Sequence, residues 1–374
     1  SFVTGPIFAG DLIEDIELDG AVVANTVIGV GADFSDWVLW DTDRTTEFGT
    51  EDNPNELEEF TIDGPGGIVG THIQAAVLTE LSLGDETFGM HRSTIWAVGN
   101  PISGEGIGDI TVEGHGTGLF RGGINGTFVP FYDLPGTTIM TNQNLGSIEL
   151  KGDDVDLVNT DIRSLKRIDE ISVEDTIYLS GDTEITAPLG MDTFEAGQIM
   201  SNGRAVLRIG AARLNKFEVD GDVDVARVVV DGTLEQAKIG GDLMGTLAVI
   251  GPFGSLEKLD VGGTVTENIE VGNWLGKVKI GDGIDGYIMA GGANDKGYAI
   301  DKVQVDGDIG GVIVDPNFAT TRPGGSIGQI KVKDGSILGA SGMFFGVGVR
   351  AVSSVNQGLA LQVRGDIDKI DIKG

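Results

Sequence analysis

Two short runs of carboxylates contain the residues of this sequence best suited to holding an ion. They are Asp41, Asp43 and Glu47 in the first run and Asp153, Asp154 and Asp156 in the second. Turn carboxylates are oxygen ligands of the kind that Ca²⁺, a hard cation, prefers. Neither run has the full ligand spacing of an EF-hand loop. The sequence therefore predicts calcium as a cofactor at both runs, beside one alternative: solvated turn aspartates that accept hydrogen bonds from their own backbone.

Three short motifs bear on glycoside hydrolysis. They are Gly114-His115-Gly116, Gly152-Asp153-Asp154 and Asn159-Thr160-Asp161, and they resemble motifs of the polygalacturonases, β-helix enzymes that hydrolyse a glycosidic bond with carboxylates as acid and base. In that family the Asn-Thr-Asp motif comes first and the Gly-His-Gly motif last, the reverse of the order here. Asp154 and Asp161 also lie only seven residues apart, too close for successive turns of a β-helix. Order and spacing both argue against this enzyme.

Other catalytic arrangements are not found in the sequence. None of the three histidines (His72, His91 and His115) has a second histidine or cysteine at metal-ligand spacing, and the chain has no cysteine. There is no Gly-x-Ser-x-Gly elbow, phosphate loop or dinucleotide-binding motif. The sequence therefore predicts a protein that is not an enzyme.

The charge of the chain is strongly acidic and unevenly distributed. It has 25 basic and 58 acidic residues, a net charge of −33, and residues 1–150 contain no lysine. Nucleic acid and anionic lipid need a cationic surface, so we expect neither as a partner. No stretch reaches the roughly 18 apolar residues that a membrane span requires, so we expect no direct span.

Short strands punctuated by glycine are the main repeating feature. An alternating apolar strand followed by glycine recurs, as in Phe217-Glu-Val-Asp-Gly221 and Val303-Gln-Val-Asp-Gly307, and the chain has 61 glycines. This period of two predicts strands with one buried face, and we expect glycine to supply a positive φ at each corner. From residue 221 the turn glycines recur at 232, 241, 251, 262, 272 and 281.

This repeat predicts an all-β fold. Two ten-residue steps make a turn of about twenty residues, as in a parallel β-helix. We predict a β-solenoid for residues 146–374 and a β-rich cap or sandwich-like region for 1–145, where the repeat is sparser. An antiparallel sandwich or jelly roll fits the same turn spacing, although no Asn-Gly loop lies between matched strands. Only Leu157–Ile171 has the pattern of a short helix.

A longer motif, Gly-(Ser/Asp)-φ-x-x-φ-x-φ with φ apolar, begins at Gly254, Gly325 and Gly365. With this motif, residues 146–374 resemble the Gly/Asp-rich β-solenoid segments of bacterial and archaeal surface proteins and adhesins. The resemblance implies an extracellular repeat protein. The calcium-binding nonapeptide of RTX repeats is not reproduced.

Both ends of the sequence carry apolar, strand-forming residues that predict assembly edges. They are Phe2, Val3, Ile7 and Phe8 at one end and Ile370 and Ile372 at the other. Unpaired strand edges recruit other chains. Two alternatives stay open: the first segment is an ordinary first strand of its own domain, and the natural chain continues beyond the last strand. The start at Ser1, without methionine, is typical of a secreted protein whose signal peptide has been removed.

The sequence thus predicts a structural subunit of an extracellular filament, sheath or surface layer that forms a homopolymer through β-strand edges. The alternatives are a polysaccharide-degrading β-helix lyase or hydrolase, and a surface adhesin that contacts glycan or protein without polymerising.

Overall fold

The computed structural model describes residues 1–9, 12–30, 56–100, 103–113, 122–125, 137–152, 155–158, 160–179, 181–201, 205–251, 253–314, 325–337, 361–362 and 366–373. In these residues every regular element is a β-strand, which confirms the all-β prediction. The chain divides into two compact units, Ser1–Ala196 and Gly197–Gly374. The boundary near residue 145, which we drew from charge and repeat spacing, stays a prediction.

The strands of the first unit are short at the start of each turn and longer at its end. They are β1 (Phe2–Val3), β2 (Ile7–Ala9), β3 (Leu12–Asp19), β4 (Val22–Ala24), β5 (Val27–Val30), β6 (Glu56–Asp63), β7 (Gly67–Val69), β8 (His72–Ala75), β9 (Val77–Leu83), β10 (Met90–His91), β11 (Thr94–Ala97), β12 (Glu105–Glu113), β13 (Gly122–Asn125), β14 (Thr137–Thr141), β15 (Asn144–Lys151), β16 (Val155–Val158), β17 (Thr160–Ser164), β18 (Arg167–Leu179), β19 (Thr183–Ala187) and β20 (Gly190–Ser201), whose last residues belong to the second unit.

Every third strand of the first unit lies beside its counterpart in the next turn. β1 pairs with β4, β2 with β5 and β3 with β6, all in parallel, and this step repeats as far as β17. Three strands per turn therefore stack as a parallel β-solenoid. Residues 1–145 are β-rich as predicted, and their described strands are solenoid turns rather than the antiparallel strands of a sandwich. The helix expected at Leu157–Ile171 is wrong, because its described residues lie mostly in β16, β17 and β18.

The second unit repeats the parallel stacking, and its connections are short as far as Val314. Its strands are β21 (Val206–Ala211), β22 (Arg213–Val219), β23 (Val223–Asp224), β24 (Arg227–Asp231), β25 (Thr233–Ile239), β26 (Thr246–Ile250), β27 (Leu256–Val261), β28 (Thr264–Val265), β29 (Ile269–Val271), β30 (Leu275–Ile280), β31 (Gly283–Ala290), β32 (Tyr298–Val305), β33 (Ile309–Val314), β34 (Ser326–Lys333), β35 (Leu361–Gln362) and β36 (Ile367–Lys373). Leu234 lies opposite Leu256, which lies opposite Leu275. The predicted turn of about twenty residues is therefore confirmed.

The core of the second unit consists of columns of apolar side chains inside the stacked turns. In β27 the buried residues are Leu256, Leu259 and Val261, the three apolar positions of the φ-x-x-φ-x-φ motif. The same three positions are buried in β22, where they are Leu214, Phe217 and Val219. Because parallel strands align equivalent residues, each motif position becomes one column of the core.

Glycine is needed at the corners for two different reasons. Gly232 and Gly251 have φ values of 147° and 101°, in the region that favours glycine, as predicted. Gly262 and Gly281 do not have such φ values. A Cβ atom at either position would instead lie well under 3.0 Å from a carbonyl oxygen of the turn before it. At these corners the close approach of two backbones, rather than the turn conformation, excludes a side chain.

Candidate assembly surfaces and carboxylate clusters

The first two strands expose apolar side chains at one end of the first unit. Phe2 of β1 and Phe8 of β2 are 76% and 43% exposed, while Val3 and Ile7 are half-buried. β1 and β2 pair with β4 and β5 of their own chain, so on that side they are ordinary first strands. Among the described strands none pairs with the opposite side of either. Their use as an assembly edge stays a prediction.

The last described strand of the second unit exposes two apolar residues at positions that are buried in the turn before it. Ile370 and Ile372 of β36 are 44% and 51% exposed. Their counterparts one turn earlier, Ile330 and Val332 of β34, are fully buried. Since β36 pairs only with β34 within the described part of the chain, its outer side presents free backbone groups and an apolar row. Its role as an assembly edge also stays a prediction.

The two carboxylate runs fall largely outside the described residues. Asp41, Asp43, Glu47, Asp153 and Asp154 all lie there. Asp156 is described, is almost fully buried in β16 and lies opposite Gly123 of β13. The described residues contain no group of three or more histidine or acidic side chains placed to hold a metal ion. Calcium at both runs therefore stays a prediction.

Turn aspartates of the second unit have a structural role that accounts for their position after glycine. The carboxylate of Asp222 accepts a hydrogen bond from the backbone N–H of Asp242 at 2.7 Å, and that of Asp242 accepts one from Thr264 at 2.7 Å. Asp308 accepts from Ser336 in the same way. Each aspartate thus binds a donor of the next turn that a solenoid corner would otherwise leave unpaired. For these three residues the backbone-binding alternative to calcium describes the observed contacts.

The structure describes only part of the glycosidase-like motifs. Thr160 and Asp161, which it describes, are residues of the solenoid strand β17. The Asp161 carboxylate lies 3.6 Å from the guanidinium of Arg163, and both side chains are about half exposed. Residues 114–121, which include His115, lie outside the described part of the chain. In the described structure Asp161 therefore takes part in a surface ion pair with Arg163.

His91 is a buried titratable residue that sequence reasoning did not single out. It lies in β10, its Nε2 atom is 2.8 Å from the carbonyl oxygen of Phe88, and its ring centre is 5.6 Å from the Phe88 ring. Burial lowers the pKa of His91 below its ordinary value, and the nearby Arg92 lowers it further, although the Phe88 carbonyl opposes the shift. The sequence offered little indication that His91 is buried, because a strand of two residues is too short to show the alternation of apolar and polar residues that predicts a buried face.

We expect His91 to make the protein less stable in mild acid. A folded-state pKa below the ordinary 6.5 means that the unfolded chain binds the proton first. The stability from the neutral ring is therefore complete above that value and is lost as the pH falls below it. Melting temperatures measured from pH 7 to pH 5 should fall less for His91→Gln than for the wild type. His72→Gln, at an exposed position, should behave as the wild type; equal slopes for both variants would contradict this assignment.

The outer face of the long strands in the second unit carries an alternating row of charges. Consecutive turns place Glu218, Lys238, Asp260 and Lys279 side by side. Lys238 pairs with Glu218, and Lys279 lies 3.2 Å from Asp260. Hydrogen bonds donated by Lys216 and Lys238 lower the pKa of Glu218, and the hydrogen bond that Lys238 donates to Glu218 raises the pKa of that lysine. This row is neutralised within the chain, so it needs no outside partner.

No protein-family model matches the chain, and comparison with curated proteins and with solved structures gives no match. Within the described residues no helix is long and apolar enough to cross a membrane. Fold and surface chemistry are therefore the basis for an assignment of function.

Proposed function

We propose that this chain is a structural subunit of an extracellular filament, sheath or surface layer, and that it polymerises through the edge strands of its solenoid. The observation that carries the proposal is the exposed apolar row of Ile370 and Ile372 beside an unpaired strand side. Apolar residues next to free backbone donors and acceptors are the elements of strand addition.

The two edges are complementary in pattern, which supports head-to-tail stacking. β3 and β36 share the φ-x-x-φ-x-φ motif, with Ile13, Ile16 and Leu18 in one strand and Ile367, Ile370 and Ile372 in the other. If these apolar residues align, Asp15 faces Lys369 and Asp19 faces Lys373, whereas Glu14 faces Asp368 and Glu17 faces Asp371. The two opposite-charge pairs only offset the two like-charge pairs, so the matching apolar residues are what favour this register. A contact between two different ends of one chain can repeat from copy to copy, and it produces a filament when the rotation between copies does not close a ring.

Calcium at the two carboxylate runs and an extracellular location belong to the same proposal. Divalent cations would reduce the repulsion between copies that each carry a charge of −33. The absence of cysteine and the resemblance to surface solenoids support a location outside the cell.

Negative-stain electron microscopy and sedimentation, with calcium and with a chelator, test the proposal. We expect polymers of the wild type, and loss of polymers for Ile370→Lys/Ile372→Lys, because buried ammonium groups at a strand edge lack partners. Met200→Lys/Met244→Lys is the matched control, since these methionines are about 40% exposed but lie outside β36. A wild type that stays monomeric at high concentration in both media would overturn the proposal. Glycan binding by that monomer would favour an adhesin.

A further inference from the structure

A column of lysine and glutamine runs along the outer face of the long strands in the second unit. Pairing in register places one of these residues on each of seven successive turns: Lys216, Gln236, Lys258, Lys277, Lys302, Gln329 and Lys369. We call this set the lysine column. Lys258, Lys277 and Lys302 occupy three consecutive turns, about 4.8 Å apart along the stack.

The lysine column differs from the alternating row beside it. In that row Lys238 and Lys279 each form an ion pair with a carboxylate of the turn before. In the described structure no carboxylate forms an ion pair with Lys258, Lys277 or Lys302. Glu257 and Asp301 directly precede Lys258 and Lys302 in β27 and β32, but neither forms an ion pair with a lysine of the column. Asp301 accepts a hydrogen bond from Asn294 at 2.8 Å. Like charges on neighbouring strands repel, so three stacked ammonium groups favour an external anion with the same spacing.

The first unit carries a column of opposite charge at the equivalent strand position. Asp15 lies opposite Glu59, Glu59 opposite Glu80, and Glu80 opposite Asp109. We call these four residues the acidic column. All four are exposed, and no described cation pairs with them. Asp109 accepts hydrogen bonds from Ser147, and Glu59 accepts one from Thr61; these contacts leave both negative charges in place.

We propose that the lysine column of one copy binds the acidic column of a second copy side by side. Both columns stand at the second outward position of the φ-x-x-φ-x-φ strand and repeat once per turn, so their charges share one spacing. A rigid solenoid holds this spacing without further ordering of the backbone, and several pairs therefore form together. The inference rests on the proposed self-association and adds to it a lateral contact through the inner members of the two columns, because Asp15 and Lys369 belong to the strand edges.

A second copy fits the lysine column better than an acidic polysaccharide does. The chain itself supplies a column of carboxylates at the required spacing, whereas aromatic side chains, the groups on which sugars stack, are scarce in its sequence. Only 6% of all residues are aromatic. The two partners differ in an observable way. A lateral contact between copies depends on both columns, whereas polysaccharide binding depends on the lysines alone.

Charge substitutions on the full chain test the lateral contact. Lys258→Gln/Lys277→Gln/Lys302→Gln should fold normally, because Gln236 and Gln329 already stand in the same column. At low salt we expect its side-by-side association, measured by sedimentation and by filament width, to weaken at least tenfold. In 1 M salt the wild type should lose the same contact, because the Debye length falls to about 3 Å. Edge contacts, which are apolar, should persist.

Two charge-reversed chains give a stricter test. Lys258→Glu/Lys277→Glu/Lys302→Glu and Glu59→Lys/Glu80→Lys/Asp109→Lys should each fail to associate laterally. A 1:1 mixture should recover the contact, because each chain retains the column that the other needs. The control for net charge is Lys151→Glu/Lys166→Glu/Lys296→Glu, which changes lysines outside both columns and outside the edge strands β3 and β36, and it should associate as the wild type does.

Each remaining outcome counts against the lateral contact. Unchanged association of the glutamine variant, or a mixture that does not recover, would overturn it. So would binding of polygalacturonate that depends on Lys258, Lys277 and Lys302 while lateral association stays as in the wild type, which would assign the column to an acidic glycan. Failure of the strand-edge proposal is separate, because it leaves Ile370→Lys/Ile372→Lys equal to the wild type in filament length.

Discussion

Phe217→Ala will lower the free energy of unfolding of the second unit by about 3–5 kcal/mol, the range for removing a buried aromatic side chain. Phe217 is fully buried in β22 and is one of the largest side chains of the core. Its neighbour in the next turn is Ala237, which is too small to fill the space that the ring leaves. Urea unfolding gives the change in free energy, and hydrogen exchange of β22 and β25 should show faster opening at the same place.

Phe253→Ala is the matched control, because Phe253 lies in the same unit but is 71% exposed. We expect it to change the free energy of unfolding by less than about 0.5 kcal/mol. A second substitution tests the cause: Phe217→Ala/Ala237→Leu returns volume to the same column and should recover part of the loss. Equal effects of Phe217→Ala and Phe253→Ala would show that the interior columns do not determine stability.

The solenoid of the second unit could be predicted because its period is short and nearly constant between residues 214 and 280. The step between turn glycines gave the length of a turn, and the motif at Gly254 and Gly325 gave the three buried positions of the long strand. The local sequence pattern and the fold agree in this region, because stacking turns of similar length places equivalent positions of the motif side by side.

The solenoid of the first unit was missed because long connections separate its strands. Residues 31–55 lie between β5 and β6, although the register of β6 with β3 is as regular as any in the second unit. A period is visible in sequence only when successive turns have similar lengths, whereas parallel pairing tolerates an insertion at a corner. The pattern Leu57, Phe60 and Ile62 was present, but its distance from Ile13, Ile16 and Leu18 hid the repeat.

Prediction of the candidate surfaces from the sequence was limited in the same way, by the irregular spacing of residues that neighbouring strands bring together. The apolar residues of β1 and β36 were singled out from position and hydrophobicity; Phe2, Ile370 and Ile372 are exposed, and their role as an assembly edge stays a prediction. The lysine column was not predicted, because its successive members are 19 to 40 residues apart without a constant step, and only the register of the strands brings them together. Surface function in a solenoid depends on which residues share a column, and an irregular turn length conceals this from the sequence.

Gly281→Ala will destabilise the second unit by about 1–3 kcal/mol, the cost of forcing a group into a packed interior. A Cβ atom there would lie well under 3.0 Å from the Gly262 carbonyl oxygen and 2.8 Å from its carbonyl carbon. Neither atom can rotate away, because both belong to the backbone. The N–H of Gly281 also donates a hydrogen bond to the carbonyl oxygen of Val261 at 2.9 Å, which holds the two turns together. The two turns must therefore separate, which weakens the hydrogen bonds between them. Thermal unfolding with hydrogen exchange of β27 and β30 measures the change.

Gly181→Ala is the control that separates stacking from sequence pattern, because Gly181 also follows an alternating apolar strand. Nothing lies within 4 Å of a Cβ built there, and its φ lies outside the region reserved for glycine. Alanine at such a position restricts the unfolded chain and should raise the free energy of unfolding by about 0.4–1 kcal/mol. Two glycines in the same sequence pattern thus have opposite expected effects, since only one has the backbone of another turn against it. Destabilisation of equal size at both positions would contradict this explanation and would favour a common requirement of the turn conformation.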